Sequence, residues 1–268
     1  MEVVCGVDIR GSHIGIGLMC PVKGILVGDS SQLIVRSLST PDQLISLIKD
    51  AIDELVTGHG AKLLGVGVGS PGQTKDGVLT AAANILPGHE NIQIVKLLST
   101  ALNSLPVVLI NDADAFLAAV VLSNDFKKEH QEIRSAAMIT LGTGIGFSLF
   151  LNNQLYEGSN GLLEGGHMIV ADMSKRKCGC GQYGCVEMYS SAKNTAERYK
   201  EVASGVADTL CTGSKYVFER AEAGDEVADQ ILNEVRHLDD VINDNMFLYS
   251  MYFCNFHYRP LTIWLSCV

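Results

Sequence analysis

His167 is followed by Cys178, Cys180 and Cys185, a spacing of H-x10-C-x-C-x4-C. Three thiolates and one imidazole complete a tetrahedral zinc shell. Four protein ligands close that shell and leave no position for a substrate water, so the expected metal is structural rather than catalytic. Glycines interleave the cysteines in CGCGQYGC and permit the tight turns that bring neighbouring thiolates to one ion. The alternative is a set of buried free cysteines beside an unrelated histidine. Apolar burial accounts well for single cysteines and poorly for three in a glycine-rich polar loop. The other five of the eight cysteines are scattered, and this bunching speaks for a metal site over a disulfide scaffold.

A second group of chemistry-bearing residues is Asn111-Asp112. The pair follows the short apolar run Leu105 to Ile110 and precedes the helical ADAFLAAVVLS. A carboxylate where a strand ends and a helix begins can face a ligand and accept a proton from an attacking hydroxyl. The same residue types are good helix N-caps, and on the residues alone capping is the favoured reading. Asp114, two residues further on, belongs to another face of the helix. Two turns, DIRGSH and LGTGIG, carry glycines and hydroxyls whose backbone and side-chain donors suit phosphate oxygens. Either turn taken alone reads as an ordinary hairpin turn.

The elements that would position these groups follow from periodicity. Strands through Val3–Val7 and Ile14–Met19 flank the turn DIRGSH, and a third strand is expected near residues 32–37. Thr40-Pro41-Asp42 has the form of a helix cap with proline in the first turn, leading into DQLISLIKDAIDELV. LLGVGVGSPG is a strand broken by glycine and proline. AAMITLGTGIGFSLFL is a second hairpin, and Ser190 to Glu234 is largely helical. Two similar hairpins, each opening one half of the chain, suggest two halves of related architecture facing one another across a cleft. The expected division is 1–115, a small N-terminal α/β domain with the first turn and Asp112, and 116–268, a larger domain with the cysteine loop.

Bulk properties narrow the class. The 268 residues are 47% hydrophobic and 19% charged, the composition of a globular chain with a large core. A balance of 20 Lys+Arg against 30 Asp+Glu gives a net charge of −10, which disfavours nucleic-acid binding. The N-terminus lacks a basic start and is interrupted by Asp8 and Arg10, unlike a secretory signal. No stretch reaches the ~20 apolar residues of a membrane helix. A soluble cytoplasmic protein with reduced thiols is expected, with no membrane and no nucleic-acid partner.

Glu164-Gly165-Gly166-His167, followed by Cys178-Gly179-Cys180-Gly181-Gln182-Tyr183-Gly184-Cys185-Val186-Glu187, resembles the paired signature of the ROK family of sugar kinases. Order, spacing and flanking residues agree, and the similarity runs from near residue 3 to near residue 237. The resemblance implies an α/β protein with the two-lobed actin-like ATPase (ribonuclease H-like) sugar kinase fold and an interdomain cleft. It implies ATP-dependent phosphorylation of a hexose or N-acetylhexosamine hydroxyl, O6 by expectation, with Asp112 as general base. By the same carry-over Gly72, Gln73, Asn84, Asn111, Asp112, Glu164, His167 and Glu187 take the sugar. Asp8, Gly11, Ser12, Gly142, Thr143 and Gly144 face the ATP phosphates, Asp8 through a water on Mg²⁺. His167, Cys178, Cys180 and Cys185 hold structural Zn²⁺, so that His167 touches the sugar with one ring nitrogen and the metal with the other. Family members commonly form homodimers. The family's repressors carry a helix-turn-helix ahead of the first turn, for which there is no room before Asp8.

The chain departs from the family pattern in two places. Arg10 stands where the first turn usually has glycine. From about residue 238 the pattern is lost, and the tail concentrates Phe247, Tyr249, Tyr252, Phe253, Phe256, Tyr258 and Trp264. Two readings of the tail stand. One is an altered end that replaces the adenosine-binding segment and leaves the second lobe incomplete and without sheet strands, making the chain a non-catalytic sugar-binding remnant. The other is a divergent ending that packs as a short strand or helix. The abrupt change in composition favours the first.

Overall fold

A computed structural model describes residues 1–10, 13–34, 38–81, 86, 89–129, 134–159, 163–170, 176–203, 211–245, 252–256 and 264–266. The chain divides into two compact units, Met1–Glu132 with Leu155–Leu162, and Ile133–Gln154 with Leu163–Val268.

The first unit is built on a sheet of five strands. In β1 (Glu2–Ile9) every second residue points inward, burying Val3, Cys5, Val7 and Ile9, as the two-residue strand period requires. In β2 (His13–Cys20) Ile14, Ile16 and Leu18 are buried in the same alternation. With β3 (Ile25–Ile34) they form an antiparallel meander. Helix α1 (Pro41–Gly58) starts as its residues dictate: the Thr40 side chain accepts from the Gln43 amide and proline occupies the first turn. Leu44, Ile45, Ile48, Ala51 and Ile52 recur at helical spacing and are all buried. The chain then enters β4 (Lys62–Ser70), a small sheet of β5 (Thr74–Lys75), β6 (Val78–Ala81) and β7 (Glu90–Ile92), helix α2 (Ile94–Ala101), β8 (Val107–Asn111), and helices α3 (Asp112–Leu122) and α4 (Asn124–Glu129). The main sheet runs β3-β2-β1-β4-β8, with β1, β4 and β8 parallel. Ile94 and Leu98 of α2 and the α1 face share one core with β1, β2 and β4.

The second unit repeats the start of that plan. Strands β9 (Ala136–Leu141) and β10 (Ile145–Leu151) form an antiparallel hairpin, extended by β11 (Gln154–Leu155). Ala136, Ala137, Met138 and Ile139 are consecutive and all buried, the mark of a central strand covered on both faces. A single 3₁₀ turn (Gly165–His167) and the cysteine loop lead to the short α5 (Glu187–Ser190), then α6 (Ala192–Val202), α7 (Ser214–Glu222) and α8 (Glu226–Asn245). Ala196, Tyr199, Cys211, Val217, Ala228, Ile231 and Leu232 form the helical core. The tail supplies β12 (Tyr252–Phe256), parallel to β9, and β13 (Trp264–Ser266), antiparallel to β12. The expectation that an altered tail leaves this unit without sheet strands is thereby corrected: aromatic residues suit a pleated surface, and β9 receives a neighbour on its second edge. The order β11-β10-β9-β12 mirrors β3-β2-β1-β4: a three-strand meander whose first strand gains a parallel partner. Among the described residues no helix is long and apolar enough to cross a membrane.

Ile48 is fully buried in α1, so Ile48→Ala should cost about 2–5 kcal/mol through lost transfer energy and the cavity left behind. Urea unfolding followed by circular dichroism should show a lower midpoint with the slope unchanged.

Candidate functional site

In the first unit, β1, β4 and β8 run in one direction, and their registers pair Asp8 with Gly69 and Ser70 with Asn111. Asp8, Asn111 and Asp112 therefore lie at the carboxyl edge of three parallel strands, the edge at which open α/β sheets take ligands. Asn111 is the N-cap of α3: its side-chain oxygen accepts from the Ala113 amide at 2.9 Å, while its Nδ2 donates to the Gly72 carbonyl at 3.1 Å. That second bond ties the start of α3 to the turn after β4, where Gly72 adopts a left-handed φ of 90° open to glycine at little cost. The carbonyl of the next residue, Gln73, accepts from the amide and hydroxyl of Thr80.

Asp112 is the first helical residue. Its Oδ1 also accepts from the Ala113 amide, at 2.9 Å. Asp112 is exposed as a residue, yet enough protein surrounds the carboxyl that partial desolvation holds its pKa above the usual aspartate value. The Ala113 amide works the other way, the Asp8 charge adds to the rise, and the Arg10 charge subtracts from it. Asp8 and Arg10 are themselves paired, Nε to Oδ2 at 2.7 Å. Asp114 is buried within α3. Gly11, Ser12 and Asn84 lie outside the described residues.

In the second unit the cysteine loop folds on itself. The Cys178 amide donates to the Gln182 carbonyl at 2.7 Å, Gly181 to Cys178 at 3.0 Å and Gly184 to Arg176 at 3.1 Å. Positive φ angles at Gly181 and Gly184, 92° and 79°, are what the glycine spacing provides. A bridge between Ile169 and Cys185 brings the 3₁₀ turn alongside. One ligand-type atom from each of His167, Cys178, Cys180 and Cys185 then lies within 4.8 Å of all the others; bonds of ~2.3 Å to a tetrahedral ion would set such atoms roughly 3.8 Å apart. His167 Nδ1 faces the Cys178 sulfur at 3.5 Å and Nε2 faces Glu164 Oε2 at 3.8 Å. The four residues named for a metal are therefore one cluster, with Glu164 on the far side of the imidazole. A Cys₃His donor set matches a closed structural metal site.

Glu187 opens α5, and its Oε2 accepts from the Ile145 amide at 3.0 Å, just past the Gly142-Thr143-Gly144 turn. The turn is closed by Gly142 N–H to the Gly144 carbonyl at 2.9 Å. Sequence reasoning missed Arg198. This arginine is only 6% exposed, donates to the Tyr189 carbonyl at 2.8 Å, pairs with Glu234 and lies 5.8 Å from the centre of the Tyr189 ring. Its guanidinium thus holds the Tyr189 carbonyl and ring of α5; a cation in an amphipathic helix carries no local signal that it will turn inward.

Residues 5–250 match the ROK family, and the chain belongs to it. It is 31% identical over 237 residues to an N-acetylmannosamine kinase of Shigella boydii serotype 18, covering 87% of this chain and 74% of that kinase. It is 32% identical over 232 residues to the N-acetylmannosamine kinase of Escherichia coli strain K12, covering 85% and 72%. Among solved structures, a ROK family glucokinase from Streptomyces griseus in complex with glucose and AMPPNP superposes with a TM-score of 0.71 at 25% identity, over 94% of this chain and 83% of that one. A ROK hexokinase from Thermus thermophilus gives 0.75 at 21% identity, over 95% and 82%. The mixed α/β fold is the actin-like ATPase fold of these sugar kinases.

The raised pKa of Asp112 has a sign that can be checked. Its folded-state value lies above the unfolded one, so its contribution favours the fold below the unfolded pKa and is lost as pH rises through the folded pKa. NMR titration should place the Asp112 carboxyl midpoint above ~3.9, and Asp112→Asn, which keeps an acceptor for Ala113, should leave the melting temperature at pH 7 unchanged or higher.

Proposed function

We propose that this chain is an ATP-dependent sugar kinase that transfers the γ-phosphoryl group to O6 of a hexose or N-acetylhexosamine. The observation that carries the reading is Asp112: an accessible carboxylate at the carboxyl edge of β1, β4 and β8, with Asp8 close enough to act on its charge. The 31–32% identity to N-acetylmannosamine kinases supports the substrate class.

A sugar hydroxyl is a weak nucleophile, and Asp112 accepts its proton as the oxygen attacks phosphorus in line with the departing ADP. The groups proposed to take sugar hydroxyls are Asn111 with Gly72, Gln73 and Asn84 in the first unit, and Glu164, His167 and Glu187 in the second. The groups proposed to take phosphate oxygens are the glycine-rich backbone of Gly142, Thr143 and Gly144 in the second unit, and Gly11 and Ser12 in the first. Asp8 is the residue that would hold the Mg²⁺ accompanying ATP, an ion that would neutralise the phosphate charge. His167, Cys178, Cys180 and Cys185 would hold a structural zinc, which would order the loop carrying Glu164 and Glu187.

The test is turnover. A metal-loaded, monodisperse preparation given ATP with glucose, mannose, N-acetylmannosamine and N-acetylglucosamine should yield a 6-phosphate detectable by ³¹P NMR, and silence with all four would defeat the proposal. Asp112→Asn should lower kcat by about 10²–10⁴-fold with sugar affinity nearly kept. Because an ionised base is required, kcat/KM should fall as pH drops through the raised Asp112 pKa. Hexose binding without ATP binding, seen by calorimetry, would favour the remnant instead.

Elemental analysis should find about one zinc per chain. Cys180→Ser should release the metal and weaken sugar binding; unchanged sugar affinity in the metal-free variant would contradict the structural role of the ion.

A further inference from the structure

Glu187 does more in this fold than present an acid. Its backbone is held from several sides. Val186, immediately before it, is fully buried against Ile139, Ile145 and Phe147, and the Glu187 carbonyl accepts from Asn194 Nδ2 at 3.0 Å. From that fixed base the side chain reaches the β9–β10 turn, where Oε2 accepts from the Ile145 amide at 3.0 Å. A β-carbon added at Gly144 would stand 2.5 Å from the same oxygen, so the carboxylate fills the space that a side chain at 144 would need. The far side of the turn is tied to the same helical segment, Ala192 N–H donating to the Gly142 carbonyl at 2.8 Å. A carboxylate accepting from a backbone amide makes a bond stronger than one between neutral groups.

We propose that Glu187 is a positioning residue of the Gly142–Gly144 turn, so that the acid assigned to the sugar also sets the geometry of the backbone assigned to the phosphates. This rests on the sugar-kinase reading for what the two groups bind. The hydrogen bond to Ile145 engages Oε2; a sugar hydroxyl on Oε1 would draw on the same carboxylate and be felt at the turn. Such coupling is reciprocal: whatever displaces the carboxylate from the turn weakens the sugar, and sugar bound to the carboxylate steadies the turn.

The experiment is amide exchange at Ile145 by NMR in the full chain, with and without saturating glucose or N-acetylmannosamine, alongside calorimetry of both sugars. Glu187→Ala should speed Ile145 exchange about tenfold or more by removing a charge-assisted acceptor. Glu187→Gln, which keeps an acceptor oxygen at the same reach, should hold exchange near wild type while losing sugar affinity. Gly144→Ala leaves the acid itself in place and pushes its flexible end aside; it should speed exchange and also weaken sugar binding. In the wild type the bound sugar should slow exchange at Ile145. Exchange unchanged in Glu187→Ala, or sugar affinity unchanged in Gly144→Ala, would overturn the proposal. Binding of neither sugar by the wild-type chain would instead sink the sugar-kinase reading, a result distinct from normal sugar binding with an unaffected turn.

Discussion

A loop of sequence CGCGQYGC has little with which to hold itself. Glycine loses more conformational freedom on ordering than any other residue, and the loop's apolar contribution to the interior is confined to Cys178 and Cys185. Its turns are nonetheless defined, and four donor atoms meet within 4.8 Å. Everything proposed for the second unit hangs on that convergence, because the 3₁₀ turn with Glu164 enters it and α5 with Glu187 leaves it. Burial pushes the Cys185 thiol up to about 12 and raises that of Cys178, while a backbone hydrogen bond from Gln182 lowers that of exposed Cys180; thiols are weak hydrogen-bonding groups and give such a loop little else. A cation shared among the four donors would supply an interaction of sufficient strength, since binding energy at a structural zinc site is folding energy.

Much of the framework was legible in the sequence because it rests on local rules. Alternation in EVVCGVDI and HIGIGLMC, the Thr40-Pro41 cap and the helical spacing of DQLISLIKDAIDELV each depend on residues within a few positions of one another, and each is present as read. The cluster was legible for the same reason, its ligands being bunched around glycines. What escaped depends on pairing across distance. Arg198 turns inward to meet Tyr189 and Glu234, and no local pattern marks it. The hydrogen bond from Ile145 to Glu187 joins residues 42 positions apart, so their motifs were read separately although they form one structure.

The tail shows the same limit in another form. Aromatic density after about residue 238 marks a change in composition, although the match to the ROK family continues to residue 250. A sheet asks something else of the segment. Ala136 to Ile139 are buried on consecutive positions, and such a central strand leaves backbone donors and acceptors to be satisfied on both edges. β12 meets that demand on the edge away from β10, just as β4 does for β1 in the first unit. Backbone pairing tolerates wide changes in side chain, which is why strand order repeats between the two sheets where sequence similarity between them is faint.

Capping and catalysis at the start of α3 are often posed as rival explanations of an Asn-Asp pair, and the geometry leaves room for both. A single donor, the Ala113 amide, is accepted by both Asn111 and Asp112 at 2.9 Å. One acceptor suffices to satisfy it, and Asn111 already serves as N-cap with its amide group fixed by the Gly72 carbonyl. The Asp112 bond is therefore redundant for helix stability. A carboxylate that the cap does not need, its pKa raised by desolvation and by a second acid nearby, is not accounted for by capping alone. Folding would be served as well by asparagine or serine at 112. The chemistry of proton acceptance is served by neither, and this is the physical reason for proposing the second residue of the pair as the proton acceptor, with the first capping the helix and, as proposed, also taking a sugar hydroxyl.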